Sequence, residues 1–236
     1  MVNPISGLIW STPAPAAHGR LDRPAIVAAA IAVADSHGVH GLTMAAVAQE
    51  LGGYTAMALY RYVSNKDGLI DLMLDSVLGE VPLPAGDADW RPALRNLAME
   101  GWELTRRHPW YARLVQTRPP LGPNSLRRTE VVLAVLTAAG LHTAKALSYL
   151  ALLDRHVYSA AIAAAEETAM LDRLGLDSAD LSATITALQQ HVAATGRYPL
   201  LARWMSAPQA STWEDQLDDG LNFILDGIAG QVKAGR

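Results

Sequence analysis

The stretch LTMAAVAQELGGYTAMALYRYVSNKDGLIDLML, residues 42–74, decides the fold because it predicts short helices separated by sharp breaks. Thr43 can cap a helix that runs to Leu51, since its hydroxyl can accept a hydrogen bond from a free amide of the first turn. The Gly-Gly pair at 52–53 follows, and glycine allows the positive φ angles of a tight turn. A second short helix is predicted over roughly 56–63. Two short helices joined by a glycine turn are typical of a helix-turn-helix.

A further helix is predicted upstream of this pair. Asp22 can act as its N-cap, Pro24 lies in its first turn, and Gly38 ends it. Its apolar residues have the i, i+3, i+4, i+7, i+8 spacing of an amphipathic helix: Ile26, Ala29, Ala30, Val33 and Ala34.

A fourth helix is predicted downstream. Ser64 or Asn65 can cap it, and Asp67 stands three residues after Ser64, as in a capping box. The helix is expected to run to about Leu78, before VPLPAG at 81–86 breaks the chain.

The helix over 56–63 is predicted to read DNA. A helix-turn-helix packs one side of its third helix against the first two and presents the other side to the major groove. Leu59 and Val63, four residues apart, fit the packing side. The residues left facing outward are Thr55, Ala56, Met57, Tyr60, Arg61 and Tyr62.

Residues 42–74 resemble the DNA-binding domain of the TetR (tetracycline-repressor) family of transcriptional regulators, most specifically in the run LYRYVSNKDGL at 59–69. The segment WRPALRNLAMEGWELTRRHPWYARLVQTRPPLGPNSLRR at 90–128 is similar to the ligand-binding half of the tetracycline-repressor type. The resemblance implies a homodimeric repressor that binds a pseudo-palindromic double-stranded DNA operator. It also implies that a small-molecule effector releases the repressor from this operator.

The resemblance also implies individual DNA contacts when it is carried over residue by residue. Phosphate contacts fall on Thr43, Thr55, Tyr60 and Lys66. Base reading falls on Ala56, Met57 and Arg61, with Tyr62 as a further candidate.

Two positions depart from the family pattern. The turn at 52–54 is one residue longer than the commonest form, and Ala58 stands where a hydroxyl often contacts phosphate. Because few side chains that hydrogen-bond base edges remain, sequence specificity is expected to rest on Arg61, on DNA shape, or on Arg20 and Arg23 near the N-terminus.

Beyond the DNA-reading segment the pattern is helical, with no alternating strand pattern, so we expect an all-α fold. An N-terminal three-helix helix-turn-helix domain is predicted at 22–80, and a larger α-helical ligand-binding and dimerisation domain at 81–236. Residues 1–21, rich in Pro, Ala and Ser, are expected to be a flexible arm. Residues 172–210 are less regular than the segments around them.

Composition excludes several classes of protein. The 236 residues include no Cys, which excludes disulfides, thiolate zinc sites and cysteine nucleophiles. No stretch reaches the ~20 apolar residues of a membrane span, and the N-terminus lacks the basic region of a signal peptide. We therefore expect a soluble cytoplasmic protein without a membrane partner. The net charge of −4 does not indicate nucleic-acid binding, so DNA binding is argued from the motif.

A small hydrophobic or aromatic effector is expected between the helices at 90–105, 125–139 and 143–168, because pockets in helical proteins are apolar with a few polar anchors. The candidate contacts are Trp102, Trp110, Tyr111, Asn124, Arg128, Tyr149 and His156, with Trp204 as a lid. Neither a cofactor nor a metal is expected. His108 and His156 are the nearest candidates should the effector be a magnesium chelate.

Two helices rich in small residues are expected to form a four-helix dimer interface with their copies. One runs from Thr143 to about 168 and is Ala-rich, and the other runs from Ser211 to about 232. The proposed interface residues of the second are Leu217, Leu221, Ile224 and Ile228. Burial of this stripe inside one subunit is the alternative.

Two other functions compete with a DNA-binding repressor. An enzyme is not expected, because adjacent helical residues such as Glu166 and Glu167 do not face each other as a catalytic pair would. A TetR-fold protein that binds or sequesters a small molecule without specific DNA recognition is the alternative. The weak positive charge of the N-terminal part and the alanine at 58 favour it.

Overall fold

The computed structural model of the chain describes residues 9–11, 21–119, 121–207 and 212–234. These residues form eleven α-helices and one short 3-10 helix and contain no strand, so the all-α prediction is confirmed. The helices are α1 (Arg23–Gly41), α2 (Met44–Glu50), α3 (Ala56–Val63), α4 (Lys66–Leu78), α5 (Trp90–Arg107), α6 (Tyr111–Val115), α7 (Pro123–Ala138), α8 (Thr143–Leu174), α9 (Ser178–Thr195), α10 (Pro199–Met205) and α11 (Trp213–Ala234). Within these ranges no helix has both the length and the apolar character needed to span a lipid bilayer.

The predicted caps of the first two helices are confirmed. Asp22 Oδ1 accepts a hydrogen bond from the Ala25 amide at 2.8 Å, and Thr43 Oγ1 accepts one from the Ala46 amide at 3.0 Å. Gly38 has a φ of 66°, so the regular part of α1 ends there, as predicted, although a last turn follows. Local side-chain chemistry therefore sets these helix ends.

The predicted capping box at the start of α4 is wrong. Asn65 is the N-cap, and its Oδ1 accepts a hydrogen bond from the Gly68 amide at 2.7 Å. Ser64 has a φ of 60°, in the left-handed region, whereas an N-cap needs extended backbone. Ser64 instead turns the chain between α3 and α4, so it cannot pair with Asp67 across the first turn.

The first four helices, α1 to α4, form the head of the molecule. α1 packs against α2, α3 and α4, and α2 packs against α3. Their shared core holds apolar side chains that are almost completely buried, including Ile26, Ala30, Val47, Leu59, Val63, Leu69 and Met73. α4 also contacts α6 and α7, so it joins the head to the rest of the chain.

The larger body, α5 to α11, is organised around α8. This helix has 32 residues, which makes it about 48 Å long, and it packs against α5, α6, α7 and α11. It runs past the predicted end near 168 to Leu174, where Gly175 adopts a left-handed φ of 63°. Its length lets one helix pack against four of the six other helices of the body.

Two helices, α9 and α10, lie within the stretch 172–210 that was expected to be less regular than its surroundings, and they pack against each other. Asp177 and Asp180 form a reciprocal capping box at the start of α9. The Gln189 side-chain amide donates a hydrogen bond to the Met205 carbonyl at 2.8 Å. The sequence held a signal for α9 that was missed, because Leu181, Ile185, Leu188 and Val192 have the i, i+4, i+7, i+11 spacing of an amphipathic helix.

Part of the segment expected to be a flexible arm at 1–21 is folded. Ile9–Ser11 form a 3-10 helix against α4, and Ile9 is buried in the core. Trp10 is half-buried beside it. The remainder of the arm up to residue 20, including Arg20, lies outside the described residues. An isolated apolar pair carries no periodicity, so this packing was not predictable from the sequence.

Candidate DNA-reading surface and effector cavity

The exposed face of α3 is the candidate DNA-reading surface. Thr55 caps the helix, and its Oγ1 accepts a hydrogen bond from the Ala58 amide at 3.3 Å. Met57 is 76% exposed, and the side chains of Tyr60 and Arg61 are also exposed. Ala56 is half-buried. The first turn of α3 therefore presents a short apolar patch, and one guanidinium and one phenol follow it within about one turn.

Tyr62 does not belong to this surface, which corrects the predicted outward set. It is only 4% exposed, because it lies three residues after the fully buried Leu59 and therefore shares its inward face. Its carbonyl accepts a hydrogen bond from Arg23 Nε at 2.9 Å, so Tyr62 holds α1 and α3 together.

Three of the four predicted phosphate contacts lie at helix starts around α3, and the fourth, Tyr60, lies within α3. Thr43 caps α2, Thr55 caps α3 and Lys66 is the first residue of α4, and all three are exposed. A threonine that accepts a hydrogen bond as an N-cap still has its own O–H free to donate to a phosphate oxygen. The two threonine hydroxyls and the Lys66 ammonium group can therefore still donate hydrogen bonds to phosphate oxygens.

A cavity of about 310 Å³ lies among α4, α6, α7 and α8, and we call it the effector cavity. A narrow extension of about 30 Å³ shares Leu78, Tyr111, Val115 and Ser125 with it and reaches Trp10. The wall is mainly apolar, with a few polar groups. Its residues are Leu78, Tyr111, Val115, Gln116, Ser125, Arg128, Thr129, Leu147, Leu150, Ala151, Asp154, Arg155 and Tyr158.

A buried ion pair forms the polar anchor of this cavity. Arg128 Nη1 and Nη2 donate to the two carboxylate oxygens of Asp154 at 3.0 and 2.6 Å. Burial alone would lower the pKa of the Arg128 guanidinium, but attraction to Asp154 outweighs it and raises that pKa, so the group stays charged. In the described part of the chain, Arg128 Nε is buried and has no hydrogen-bond partner.

Two buried tyrosines lie beside this ion pair. The rings of Tyr111 and Tyr158 meet edge to face with centroids 5.8 Å apart, and their hydroxyls are hydrogen-bonded. Burial raises the pKa of both phenols well above the ordinary value. Both therefore stay neutral at physiological pH and can donate or accept hydrogen bonds.

Of the predicted effector contacts, Tyr111 and Arg128 line the effector cavity, whereas Trp110 and Asn124 do not appear in its described wall. Trp110 Nε1 donates to Asp35 of α1 at 2.7 Å. The Asn124 side chain donates to the Asp75 carbonyl of α4 at 3.0 Å. Both residues join the body to the head.

The other predicted effector contacts also lie elsewhere. Trp102 lines a separate cavity against α5, α8 and α11. His156 Nε2 bonds the Leu217 carbonyl of α11 at 2.9 Å, and Tyr149 is half-buried outside the described cavity walls. Trp204, the predicted lid, lies on α10 and is 59% exposed.

No metal site unites the two histidines considered for a chelate. His108 Nδ1 lies 2.8 Å from Asp35, while His156 bonds α11. Among the described residues, no cluster of three or more His, Asp or Glu side chains could hold a metal ion.

Carboxylates of α4 tie the head to the body, and sequence reasoning missed them. Arg118 donates to Asp67 and Asp71 at 2.5 and 3.1 Å. Asp75 accepts hydrogen bonds from the Asn124 and Ser125 amides, at 3.2 and 2.9 Å, and so caps α7. The sequence held a signal for these contacts, because Asp67, Asp71 and Asp75 recur every four residues and so share one face of a largely apolar helix.

The head is a helix-turn-helix, and such contacts join it to an all-helical body that contains a cavity. This arrangement defines a class: DNA-binding transcriptional regulators that respond to small molecules. The description "Bacterial regulatory proteins, tetR family" matches residues 26–73, and "Tetracyclin repressor-like, C-terminal domain" matches residues 82–232. The chain therefore belongs to the TetR family of transcriptional regulators, as its sequence predicted.

Similar proteins cover nearly the whole chain. The HTH-type transcriptional repressor DrrR1 of Streptomyces coeruleorubidus is 38% identical over 94% of this chain and 83% of its own length. An HTH-type transcriptional regulator of Saccharopolyspora erythraea is 34% identical over 94% of this chain and 92% of its own length.

The fold is also similar to that of ActR from Streptomyces coelicolor. Apo ActR superposes with a TM-score of 0.78 and 25% identity, over 93% of this chain and all of ActR. ActR in complex with actinorhodin gives a TM-score of 0.76 and 25% identity, over 91% of this chain and 99% of ActR. The similarity therefore extends over both the head and the body.

Proposed function

We propose that this regulator represses transcription as a cytoplasmic homodimer on a pseudo-palindromic operator, and that an apolar or aromatic molecule in the effector cavity releases it. The observation that best supports this proposal concerns Arg128. Its side chain is charged and buried, and its Nε–H has no hydrogen-bond acceptor within the described residues. A buried unpaired donor is costly, so a ligand that brings an acceptor gains affinity there. ActR, a structural relative, binds actinorhodin, which supports this arrangement.

The remaining walls define the class of effector. Leu78, Leu147 and Leu150 offer apolar contact, and the hydroxyls of Tyr111 and Tyr158 offer neutral hydrogen bonds. Because Asp154 balances the charge of Arg128, this buried anchor favours a neutral group over an anion, while Arg155 is an exposed cation of the wall. A small aromatic compound with one or two oxygen acceptors fits these groups.

Base reading is proposed to rest on Arg61 and Met57, with phosphate contacts from Thr43, Thr55, Tyr60 and Lys66. Ala56 is proposed to add an apolar contact at the start of α3. The reading face of α3 is exposed and capped, which supports DNA recognition over the alternative of a binding protein without it.

We propose that the dimer interface uses the two predicted helices but a different face of α11. Leu217, Leu221 and Leu225 of α11 are fully buried within the single chain, and Ile228 is 2% exposed. Phe223 is 82% exposed and lies on the opposite face. We assign the interface to this outer face of α11 and the neighbouring face of α8.

Small residues beside Phe223 support this placement. A Cβ at Gly227 or Gly230 would meet nothing within 4 Å in the single chain, so α11 is open there to close approach by another helix. α8 and α11 run antiparallel, since Trp213 bonds Glu167 while Leu217 bonds His156. Two such pairs, one from each subunit, form a four-helix interface.

The first experiment measures binding to the DNA upstream of the protein's own gene at two salt concentrations. Lys66→Ala should weaken operator and scrambled DNA alike and reduce the salt slope by about one unit. Lys145→Ala removes another exposed lysine, from the first turn of α8, and is the matched control. Unchanged operator affinity in Lys66→Ala would show that Lys66 does not contact the DNA.

A second pair of variants separates base reading from charge. Arg61→Ala should reduce operator affinity more than affinity for scrambled DNA, because a base contact carries sequence information. Arg127→Ala removes an exposed arginine of the body and should change neither. An equal loss on both DNAs in Arg61→Ala would show that Arg61 contacts only the backbone.

The effector cavity is tested with a double variant. Arg128→Met with Asp154→Leu removes both charges and avoids leaving one of them buried and unpaired. A panel of aromatic ketones and quinones is first screened for release of operator DNA from the wild-type protein. The double variant should bind operator normally and resist release by the active compounds. Release at unchanged concentration would show that they bind elsewhere.

A further inference from the structure

A second cavity, of about 570 Å³, lies between α5, the C-terminal half of α8 and the start of α11. It shares no described lining residue with the effector cavity. Its α8 wall consists largely of Ala161, Ala164, Ala165 and Ala169, so we call it the alanine cavity. α8 thus contributes to two separate cavities, one along each half of its length.

One residue of the wall of the alanine cavity carries a buried, unsatisfied hydrogen-bond donor. Trp102 lines it and is 4% exposed, and in the described part of the chain no acceptor lies within reach of its buried Nε1. The indoles of Trp110 and Trp213 differ in this respect, because each donates to a carboxylate, Asp35 at 2.7 Å and Glu167 at 2.6 Å. A buried indole N–H usually finds a partner, so Trp102 indicates a bound acceptor.

The charges around the cavity favour a neutral occupant. Arg106 is the cationic residue of its described wall, and its Nη1 lies 2.9 Å from Glu214 and 3.4 Å from Glu103. Asp172 and Glu214 also line the wall. An anionic ligand would therefore meet carboxylates rather than a free cation.

We propose that the alanine cavity binds a neutral, planar aromatic carbonyl compound whose oxygen accepts a hydrogen bond from Trp102 Nε1. Because the α8 wall consists largely of short methyl side chains, its surface is flat enough to pack against a planar ring system. A carbonyl supplies the missing acceptor without adding a charge. The volume is within the range of small-molecule sites, and the proposal does not depend on the effector cavity.

The test uses 9-fluorenone as the probe and fluorene, which lacks only the carbonyl oxygen, as the matched ligand. The full-length protein is labelled with ¹⁵N at the indole nitrogens of its six tryptophans. Trp102→Phe identifies the Trp102 indole resonance. Fluorenone should move this proton resonance downfield, the direction expected for a new hydrogen bond, and fluorene should not.

Two variants of α8 locate the probe. Ala165 lines the alanine cavity and Ala151 lines the effector cavity, and both are half-buried. Ala165→Phe should abolish the fluorenone shift at Trp102, whereas Ala151→Phe should preserve it. Trp102→Phe should weaken fluorenone binding roughly tenfold, the effect of one hydrogen bond, and leave fluorene binding nearly unchanged.

Four results would overturn the proposal. The first is a Trp102 resonance that does not move at saturating fluorenone. The second is a shift that survives in Ala165→Phe, and the third is a shift that is lost only in Ala151→Phe. A Trp102 indole proton that is already downfield and slow to exchange in the free dimer would also refute it, because the partner subunit would then supply the acceptor.

Discussion

The sharpest prediction compares two residues of α11 that lie two positions apart and face opposite ways. Phe223→Asp should dissociate the dimer without unfolding the subunit, because Phe223 is 82% exposed in the single chain. Leu221→Ala should destabilise the fold, because Leu221 is fully buried within the subunit. The sequence alone had placed Leu221 at the dimer interface.

The expected magnitudes follow from burial. Covering one Phe side chain contributes about 1.5–3 kcal/mol, and a twofold interface covers two of them, about 3–6 kcal/mol in total. Each 1.4 kcal/mol is about a factor of ten, so losing both should weaken dimerisation roughly 10²- to 10⁴-fold. Leu221→Ala should instead lower the free energy of unfolding by about 2–5 kcal/mol through the cavity it leaves.

Sedimentation velocity over a range of concentrations measures dimerisation, urea unfolding measures the free energy of unfolding, and fluorescence anisotropy measures operator binding. Leu126→Asp, at an exposed leucine of α7, controls for an added charge on an apolar surface residue. We expect Phe223→Asp to sediment as a folded monomer that no longer binds operator tightly. A Phe223→Asp protein that stays dimeric at micromolar concentration with normal operator affinity would place the interface elsewhere.

Three further predictions concern other parts of the molecule. Asp75→Asn should leave effector binding nearly intact but reduce the release of operator that the effector causes. Release is measured as the ratio of operator affinities without and with effector. An unchanged ratio would show that the contacts of Asp75 do not couple the two sites. Tyr60→Phe should weaken operator binding several-fold by removing an exposed hydroxyl, whereas Tyr62→Phe should not, since Tyr62 is buried. Burial raises the pKa of Tyr111 and Tyr158, so their contribution to stability is complete below the unfolded value of about 10 and is lost as pH rises above it. Urea midpoints measured from about pH 9 to about pH 11 should therefore fall less steeply in Tyr111→Phe than in the wild-type protein, and equal slopes would contradict this.

The helix ends of the head were predictable because local chemistry determines them. Asp22, Thr43 and Thr55 each bond an amide three residues ahead, so the signal lies within one turn of chain. Gly52 and Gly53 both adopt positive φ, as the tight turn requires. Ser64 was the exception, because its left-handed conformation depends on how α4 meets α3.

The effector contacts were less predictable because their partners are distant in sequence. Trp110 and Asn124 have the side chains expected of a binding pocket, yet they bond residues 75 and 49 positions away. Periodicity showed that Leu217, Leu221 and Ile228 share a face, but it could not tell which neighbour covers that face. The structure shows that the same subunit covers it.

The contacts of α4 indicate how a ligand in the body can move a head that it does not touch. Asp75 accepts two backbone amides of α7, at 2.9 and 3.2 Å, and α7 carries Arg128 in the effector cavity. Hydrogen bonds weaken sharply beyond about 3.5 Å, so a ligand that displaces α7 by about 1 Å must either move α4 with it or break these bonds. Breaking one leaves a buried group unpaired at a cost of about 1–3 kcal/mol, the same size as a typical allosteric coupling free energy. Moving α4 is therefore the less costly response, and because α4 begins at Lys66, directly after the turn that follows α3, the displacement reaches the DNA-reading helix.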